Sequence, residues 1–460
     1  MAPSRTDRLS GSGPSPDQRN PFQLDRDRIL YSPALRRLAG VTQVVSPSEG
    51  EVFHNRLTHT LKVAQIARRL AEMFLKRDKQ NGTTLAADWG GIEPEVVEAA
   101  ALAHDLGHPP FGHIAEEELG HLVASIAHGE KKGGKGKRGP PTEDNLKKCE
   151  GYEGNAQSFR ILTTLSVRRP ESTCGLDLTR ATLNAALKYP WVWAADERKY
   201  GAYVADKKAF EFAREGRKKN DRTRSIEAQI MDWADDITYS VHDTEDFYRA
   251  GLIPLERLAV NPKERSYFRG EAIKRREKTP KPFKLDPNFY DYFDRFFDSV
   301  KLKEPYQGTR SQQEALYEFT SATINTYVQA TRLLPPPGND GEGVDIDPVF
   351  KTQIELLKEL TWCYVINNPA LAAHQHGQRQ AIRTLFQVFD EAAERGKWSL
   401  FPPLFREEGI ALAESRELSP SRRARLVADT IAAMTDQQAL RMYQRLTGLS
   451  QGSVLDPIVS

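Results

Sequence analysis

Residues 103–113 read Ala-His-Asp-Leu-Gly-His-Pro-Pro-Phe-Gly-His, and both the fold and the site are predicted from this stretch. Adjacent His104 and Asp105 offer one neutral imidazole nitrogen and one hard carboxylate oxygen, a mixture that suits Mn, Fe, Mg or Zn rather than a thiolate-preferring ion. Apolar residues at helical spacing cover 95–104, and the glycines and prolines of 107–112 must end that helix. The stretch predicts a metal site at a helix end, with a basic helix cap as the alternative.

Histidines are concentrated around this stretch, since seven of the ten in the chain lie between His54 and His128. Isolated His59 lies 45 residues before His104, within a second helical pattern over 57–75. Taken alone, a histidine in such a pattern is better explained as a buried core residue than as a ligand. The clustering makes His59 a candidate ligand.

A further polar pattern lies in the predicted helix 224–249. Asp235, Tyr239 and Asp243 are spaced at i, i+4 and i+8, so they share one face and would form one wall of a pocket. Taken alone, the segment is better explained as a solvated acidic stripe, although apolar neighbours surround Asp235. Together, His59, His104, Asp105 and Asp235 make a His2Asp2 set that leaves coordination positions open for water and a phosphate oxygen.

Composition sets few limits on function. The chain has 460 residues and a formal net charge of +2, so no global charge favours nucleic acid or an acidic partner. No apolar run approaches the roughly 20 residues that span a bilayer, and the first 20 residues lack the apolar centre of a signal peptide. The three cysteines show no CxxC spacing, which indicates reduced thiols. We expect a cytoplasmic protein without membrane association.

The organisation predicted along the chain is all-α, because helical patterns dominate and alternating strand patterns are few. Residues 1–20 are rich in Ser, Pro, Gly and Arg and are predicted to be disordered. A core over 21–250 is followed by a helical region over 251–460 that completes the site and forms an oligomer interface. Three loop-like insertions are predicted, at 129–141, 262–284 and 334–347, and the first two are basic.

The order H…HD…D resembles the HD superfamily of metal-dependent phosphohydrolases, and the flanking words resemble its deoxynucleotide triphosphohydrolase branch, the bacterial dGTPase-like proteins. The matching words are RDRILYS (26–32), RRLAG (36–40), TQV (42–44), RLTH (56–59), HDLGHPPFGH (104–113), YEGNAQ (152–157), LKYP (187–190), ADDITYS (234–240) and VADTIAAMTD (427–436). The resemblance implies an HD-domain helical bundle with additional C-terminal helices. Two positions depart from the common pattern: Val41 replaces a frequent Lys, and His54-Asn55 replace a frequent Arg-Thr.

Carried over position by position, the resemblance implies a role for each candidate residue. The implied metal ligands are His59, His104, Asp105 and Asp235. Residues implied to face the phosphates are His108, His113, Arg56, Lys188 and Tyr189. Proton handling at the reacting phosphorus is implied for His113 and Glu116. The implied sugar contacts are Gln43 and Asp243 at the 3′-hydroxyl and Tyr239 against the deoxyribose, where it leaves no room for a 2′-hydroxyl.

The chemistry implied is hydrolysis of a dNTP, dGTP among them, to a deoxynucleoside and inorganic tripolyphosphate. The cofactor is a divalent metal, with Mn, Mg, Co and Fe as candidates. Water made more acidic by the cation attacks the α-phosphorus, and an acid such as His113 protonates the departing 5′-oxygen. Relatives of this branch form homo-oligomers, and some bind a dNTP effector or single-stranded nucleic acid. A homo-oligomer is expected here, and an effector and weak single-stranded binding are further options.

Two alternatives stay open. The first is another HD-type nucleotide phosphohydrolase, such as a nucleotide phosphatase or a guanosine tetraphosphate hydrolase. The acidic pair that the latter usually carries after the doublet is replaced here by Gly-His-Pro-Pro, which counts against it. The second is a nucleotide-sensing or nucleic-acid-binding protein with an HD fold and little turnover, for which the basic insertions supply Lys and Arg.

Overall fold

The structure is a computed structural model that describes residues 3–11, 17–43, 54–131, 142–168, 174–218, 220–277, 289–338 and 341–450. Within these ranges the protein is all-α, with a single two-stranded antiparallel sheet, which confirms the predicted class. No helix in these ranges is both long and apolar enough to cross a bilayer.

The helices are numbered in chain order. They are α1 Pro21–Leu30, α2 Pro33–Arg37, α3 Arg56–Asn81, α4 Leu85–Asp88, α5 Pro94–Ala103, α6 His113–Lys131, α7 Glu143–Leu146, α8 Gly154–Arg160, α9 Arg180–Ala185, α10 Lys207–Ala213, α11 Ile226–Arg249, α12 Leu255–Val260, α13 Pro262–Glu277, α14 Phe289–Ser299, α15 Arg310–Ala330, α16 Pro348–Leu360, α17 Pro369–Glu394, α18 Pro403–Glu414, α19 Pro420–Ala432 and α20 Asp436–Leu446. Strands β1 Thr331–Leu333 and β2 Val344–Ile346 pair with each other. Short π-helical segments follow α8 and α16, over Ile161–Leu165 and Thr361–Ile366.

The central bundle packs α3, α5 and α11 together. Asn55 caps α3 by accepting a hydrogen bond from the Thr58 amide at 2.9 Å, and the helix ends at Gly82 in the left-handed conformation. The buried face of α3 is apolar and includes Val63, Ile66, Leu70 and Phe74. Helix α5 is alanine-rich and buried along most of its length, so its neighbours approach closely. This packing places His59, the end of α5 and the middle of α11 around one point.

A second core lies between α6, α17, α19 and α20, with Phe389 and Phe401 at its centre. A buried polar cluster joins this second core to the core of the central bundle. In it, Asp429 accepts hydrogen bonds from Gln157 at 2.8 Å and from Arg160 at 3.0 Å. All three side chains are buried. Removing one partner of such a cluster leaves a buried charge uncompensated, so the two cores are coupled.

The C-terminal helices also reach the His-Asp doublet. Asp436, at the start of α20, accepts hydrogen bonds from the Thr42 amide at 3.0 Å and from the Phe111 amide at 2.8 Å. Phe111 and Gly112 both have left-handed backbones, with φ of 66° and 62°, and they turn the chain from the doublet into α6. Arg37 donates to the carbonyl oxygens of Leu106, His108 and Met434. The last helix thus holds the loop that carries the site.

The predicted disorder of residues 1–20 is wrong for residues 3–11. Arg8 is buried and pairs with buried Asp25 at 2.8 Å, and Arg5 pairs with buried Glu227 at 2.5 Å. The order of this segment could not be predicted from its composition. Composition indicates order through apolar residues, whereas this segment is held by two specific ion pairs. Residues 12–16 lie outside the described ranges.

Two predicted insertions differ from the structure. Residues 262–277 form α13 rather than a loop, because Phe268 is buried and packs against Phe293 and Phe297 of α14. Strand β2 pairs with β1, so residues 344–346 of the predicted loop 334–347 are strand rather than loop. Residues 339–340 lie outside the described ranges. The insertion 129–141 begins at the end of α6, and its residues 132–141 lie outside the described ranges, as do residues 278–284.

Candidate active site

The four predicted metal ligands lie together at the centre of the bundle. His59 Nε2 of α3 is 3.0 Å from Asp235 Oδ1 of α11. His104 Nε2, just after α5, is 3.6 Å from that oxygen and 3.5 Å from Asp105 Oδ1. Ligand atoms of His59, His104 and Asp105 all lie within 4.8 Å of one another, so one ion can contact all three. Three separate elements therefore contribute to one donor set.

The donor set fits a divalent metal. His104 Nδ1 lies 2.7 Å from the Ala101 carbonyl oxygen and donates to it, so the lone pair of Nε2 faces the other ligands. Among the described residues, His104 Nε2 is buried without a hydrogen-bond partner. Such an orphaned acceptor between two carboxylates is explained by a cation, and the carbonyl that fixes the ring orientation is a typical neighbour of a metal-binding histidine.

Both carboxylates of the set are held ionised. Burial opposes ionisation of Asp105, but His104, Arg56 and His108 hold its pKa well below the usual range. Arg56 is itself buried and donates to Asp105 Oδ2 at 2.7 Å. At Asp235, burial is likewise overcome by His104, His59 and Lys188, and the pKa is lowered. The site therefore presents hard anionic oxygens to a cation.

A second cluster flanks the metal ligands and contains His108, His113 and Glu116. His113 Nδ1 is 3.0 Å from Glu116 Oε2, and His108 Nε2 is 3.9 Å from the same oxygen. His113 is exposed, whereas His108 and Glu116 are buried. Burial and nearby Arg56 lower the pKa of His108 to about 4, so this ring is neutral near pH 7. The exposed, carboxylate-bound His113 is the group placed to exchange a proton with a ligand.

Sequence reasoning missed two members of this cluster, Lys199 and Glu153. Lys199 Nζ lies 3.0 Å from Glu116 Oε1 and 3.0 Å from Glu153 Oε1, and the Gly154 amide donates to Glu116 at 3.2 Å. Burial raises the pKa of Glu116, but His113 and Lys199 overcome it and hold that pKa well below its usual range. Lys199 thus keeps Glu116 in the state that accepts from His113. Lys199 lies in the loop after α9, where no helical or strand pattern indicates which side chains face the site.

A third group contains polar atoms without a hydrogen-bond partner and adjoins the metal ligands through Arg56, which donates to Asp105. Gln43 Oε1, Asp243 Oδ2 and Arg56 Nη2 are each buried without a hydrogen-bond partner among the described residues. Burial, together with the charges of Asp243 and Asp235, raises the pKa of Tyr239, so its hydroxyl stays neutral. Buried polar atoms are normally satisfied, so these atoms are candidates for binding a polar ligand.

Lys188 and Tyr189 complete the surroundings. Lys188 Nζ is 2.5 Å from Asp232 Oδ1 and 3.6 Å from Asp235 Oδ2, so it lies beside the metal ligands. Burial opposes its charge, but these two carboxylates raise its pKa well above the ordinary value. The Tyr189 ring packs edge-on against Trp191. All thirteen predicted site residues fall in described segments. Eleven form the three groups above, Lys188 lies beside the metal ligands, and Tyr189 follows it in the chain.

Comparison with known proteins agrees with this geometry. A model of the HD domain matches residues 56–143, and a model of a phosphohydrolase-associated domain matches residues 344–445. A deoxyguanosinetriphosphate triphosphohydrolase-like protein of Corynebacterium efficiens is 36% identical over 94% of this chain and 93% of its own length. The corresponding protein of Streptomyces coelicolor is 36% identical over 95% of each chain, and that of Bordetella pertussis is 30% identical over 96% of this chain and 94% of its own. The chain belongs to this dGTPase-like family.

The family assignment confirms the resemblance predicted from the sequence and makes this dGTPase-like protein an HD-type phosphohydrolase acting on nucleotides. His59, His104 and Asp105 fall inside the region matched to the HD domain, whereas Asp235 falls between the two matched regions. The fold alone brings Asp235 to the other three, because α11 packs directly on α3 and α5.

Proposed function

We propose that this protein hydrolyses deoxynucleoside triphosphates to deoxynucleosides and inorganic tripolyphosphate, with a divalent metal held by His59, His104, Asp105 and Asp235. The observation that carries the proposal is the position of the His113–Glu116 pair next to this donor set, together with buried unpaired atoms of Gln43, Arg56 and Asp243. The names of the relatives make dGTP the first substrate to test. Mn, Mg, Co and Fe are the candidate metals.

A divalent ion at such a site supplies Lewis acidity toward a phosphate oxygen and makes water a better nucleophile. The chain's own cations and neutral donors bind the rest of the triphosphate. Arg56 has one buried nitrogen left without a partner among the described residues, and Lys188 carries a stable positive charge. Neutral His108 has Nδ1 3.0 Å from Asp105 Oδ1, so it supports this carboxylate without adding a positive charge next to the metal. These groups offset phosphate charge in a largely buried site.

Departure of the 5′-oxygen needs a proton, because an alkoxide is a poor leaving group. His113 binds Glu116 through Nδ1, so its Nε2 is the nitrogen that can donate to the substrate. Glu116 stays ionised because Lys199 lies beside it. The ionised carboxylate stabilises the protonated imidazole of His113 before its proton is transferred to the leaving group. The chain therefore supplies a general acid and the groups that orient it.

The sugar would be bound by the unpaired atoms of the third group. A 3′-hydroxyl can donate its one proton to Asp243 Oδ2 or to Gln43 Oε1, which are both buried and without a partner among the described residues. Tyr239 lies on the same face of α11, between Asp235 and Asp243. Its ring would pack on the deoxyribose and exclude a 2′-hydroxyl.

Removing the Tyr239 ring tests sugar selection. We expect Tyr239→Ala to reduce the preference for dGTP over GTP in kcat/KM by about tenfold or more, because the steric barrier to a 2′-hydroxyl is removed. Tyr239→Phe keeps the ring and serves as the matched control, with the preference retained. An unchanged ratio in the alanine variant would show that another residue excludes the 2′-hydroxyl.

The proposed activity is tested with purified protein, the four dNTPs and the four ribonucleotides, each with Mg, Mn and Co. Ion chromatography or phosphorus NMR identifies the inorganic product. Tripolyphosphate supports the proposal, whereas orthophosphate or pyrophosphate would favour a different nucleotide phosphohydrolase. Metal-dependent nucleotide binding without any product would favour the nucleotide-sensing alternative.

Assembly and location stay predictions. A homo-oligomer, a dNTP effector, weak binding of single-stranded nucleic acid and a cytoplasmic location are each supported only by the family resemblance. We expect light scattering after size exclusion to give a mass at least twice that of the 51.9 kDa chain with metal and dNTP present. A single monomer peak under all conditions would contradict the predicted homo-oligomer.

A further inference from the structure

A second set of metal-ligating side chains lies beside the proposed divalent site and contains none of its four ligands. It consists of His108, in the turn after α5, and of His113 and Glu116, in the first turn of α6. Each residue offers one ligand atom, and these atoms all lie within 4.8 Å of one another. Two imidazoles and one carboxylate form a donor set that suits Zn²⁺ and leaves a fourth position for water. We call these three residues the outer cluster.

The spacing of the outer cluster suits one tetrahedral ion. Glu116 Oε2 lies 3.0 Å from His113 Nδ1 and 3.9 Å from His108 Nε2. With metal–ligand bonds of about 2.0–2.1 Å, the ligand atoms of a tetrahedral site are about 3.3 Å apart, which lies between these two distances. The rings of His108 and His113 are 5.2 Å apart, and His113 is exposed, so its ring can adjust without disturbing the core.

Both histidines can offer a lone pair to such an ion. His108 Nδ1 lies 3.0 Å from Asp105 Oδ1, which favours the ring proton on Nδ1 and leaves the lone pair of Nε2 facing Glu116. His113 gives up the proton on its Nδ1, so ion binding releases this proton to solvent. His113 and Glu116 line an open cavity of about 520 Å³, which gives both the ion and the proton a route.

Two positive charges oppose a cation in the outer cluster and make it the weaker of the two sites. Lys199 Nζ lies 3.0 Å from Glu116 Oε1, and the cluster lies at the N-terminal, positive end of the α6 dipole. The outer cluster also has one carboxylate, whereas the His2Asp2 set has two. We therefore expect its affinity for a divalent ion to be at least about tenfold lower, so that it fills only when metal is in excess.

We propose that the outer cluster is an inhibitory Zn²⁺ site, in which a second ion occupies the groups that otherwise protonate the leaving group. The inference rests on the proposed function. When Nδ1 of His113 is bound to metal, the ring cannot become an imidazolium, and a neutral imidazole is a much weaker acid at Nε2. Glu116 is then a metal ligand and no longer orients the acid. Excess zinc thus stops protonation while the first ion stays in place.

Counting bound metal tests the site without any assay of activity. We expect wild type, dialysed against increasing free Zn²⁺, to take up one more ion per chain than His113→Gln or Glu116→Gln, as measured by elemental analysis. His121→Gln, at an exposed position of the same helix, is the matched control and should keep the wild-type count. Lys199→Met removes the opposing charge, so its second ion should bind about tenfold more tightly. Equal counts in wild type and in both cluster variants, each shown to be folded by thermal unfolding, overturn the inference.

The effect of zinc on two substrates tests the inhibitory role. With saturating Mn²⁺, excess Zn²⁺ should lower the wild-type kcat for dGTP by about tenfold or more, because the general acid is lost. A nucleotide whose 5′-oxygen is replaced by sulfur has a leaving group that needs little protonation, so its kcat should stay within about twofold. Equal inhibition of both substrates would indicate displacement of the first ion and would overturn the inhibitory role.

The two measurements also separate this inference from the proposed function. A wild-type protein that hydrolyses no dNTP with any candidate metal overturns the proposed function and the inhibitory role with it. The metal count still decides whether the outer cluster binds zinc. An extra ion in wild type that raises kcat for dGTP would support the site but overturn its inhibitory role.

Discussion

Asp105→Ala is expected to lose the bound divalent metal and to lower dNTP hydrolysis by a factor on the order of a thousand or more. A metal supplies several kcal/mol of charge stabilisation to phosphoryl chemistry, and about 1.4 kcal/mol corresponds to tenfold in rate. Asp105 is the carboxylate nearest to His104 and one of the three residues whose ligand atoms lie within 4.8 Å. Elemental analysis and steady-state kinetics measure the two losses together.

The same change also unbalances the fold. Arg56 donates to Asp105 at 2.7 Å, and both are buried, so alanine leaves a buried guanidinium uncompensated at a cost of about 3–5 kcal/mol. Asp105→Asn keeps an acceptor for Arg56 and separates metal loss from instability. Asp291→Asn, at an exposed position of α14, is the matched control. Stoichiometric metal with near-native turnover in a folded Asp105 variant would remove Asp105 from the ligand set.

The second large effect is expected at His113. His113→Gln should lower kcat by roughly a hundredfold to ten-thousandfold with little change in KM, because a general acid acts in the transition state rather than in binding. His121→Gln, on the exposed side of the same helix, is the control and should leave kcat unchanged.

A change of leaving group shows whether the lost function is protonation. With a nucleotide whose 5′-oxygen is replaced by sulfur, the departing thiolate needs little protonation, so the defect of His113→Gln should shrink by at least tenfold relative to dGTP. An equal defect with both substrates would show that His113 does not protonate the leaving group. The Glu116 contact would then have to be interpreted as purely structural.

Much of the site was predictable because its signals are local. The doublet at His104-Asp105 is followed by glycines and prolines that must end α5, and the spacing of Asp235, Tyr239 and Asp243 needs only helical periodicity. The all-α class followed from the same periodicity. These patterns depend on residues within a few turns of one another, which is the range that a single sequence encodes.

The features that were missed depend on partners far away in the sequence. Lys199 meets Glu116 across 83 residues, and nothing near Lys199 indicates that contact. Helix α13 has a polar sequence, and tertiary contacts such as the packing of buried Phe268 on Phe293 of α14 stabilise it. Arg8 packs because Asp25 is already buried beside it. A tertiary contact of this kind overrides composition, so neither local propensity nor polarity can reveal it.

The hydrogen bond between Asp436 and the Phe111 amide joins residues that are 325 positions apart in the chain. At about 5–20 residues per second of synthesis, some tens of seconds pass on the ribosome between the appearance of the His-Asp loop and that of the residue that fixes it. A nascent chain that ends before Asp436 therefore lacks the hydrogen bond that fixes the turn leading into His113. The site should therefore be complete only after Asp436 has been made, and chains released before that point should lack the proposed activity.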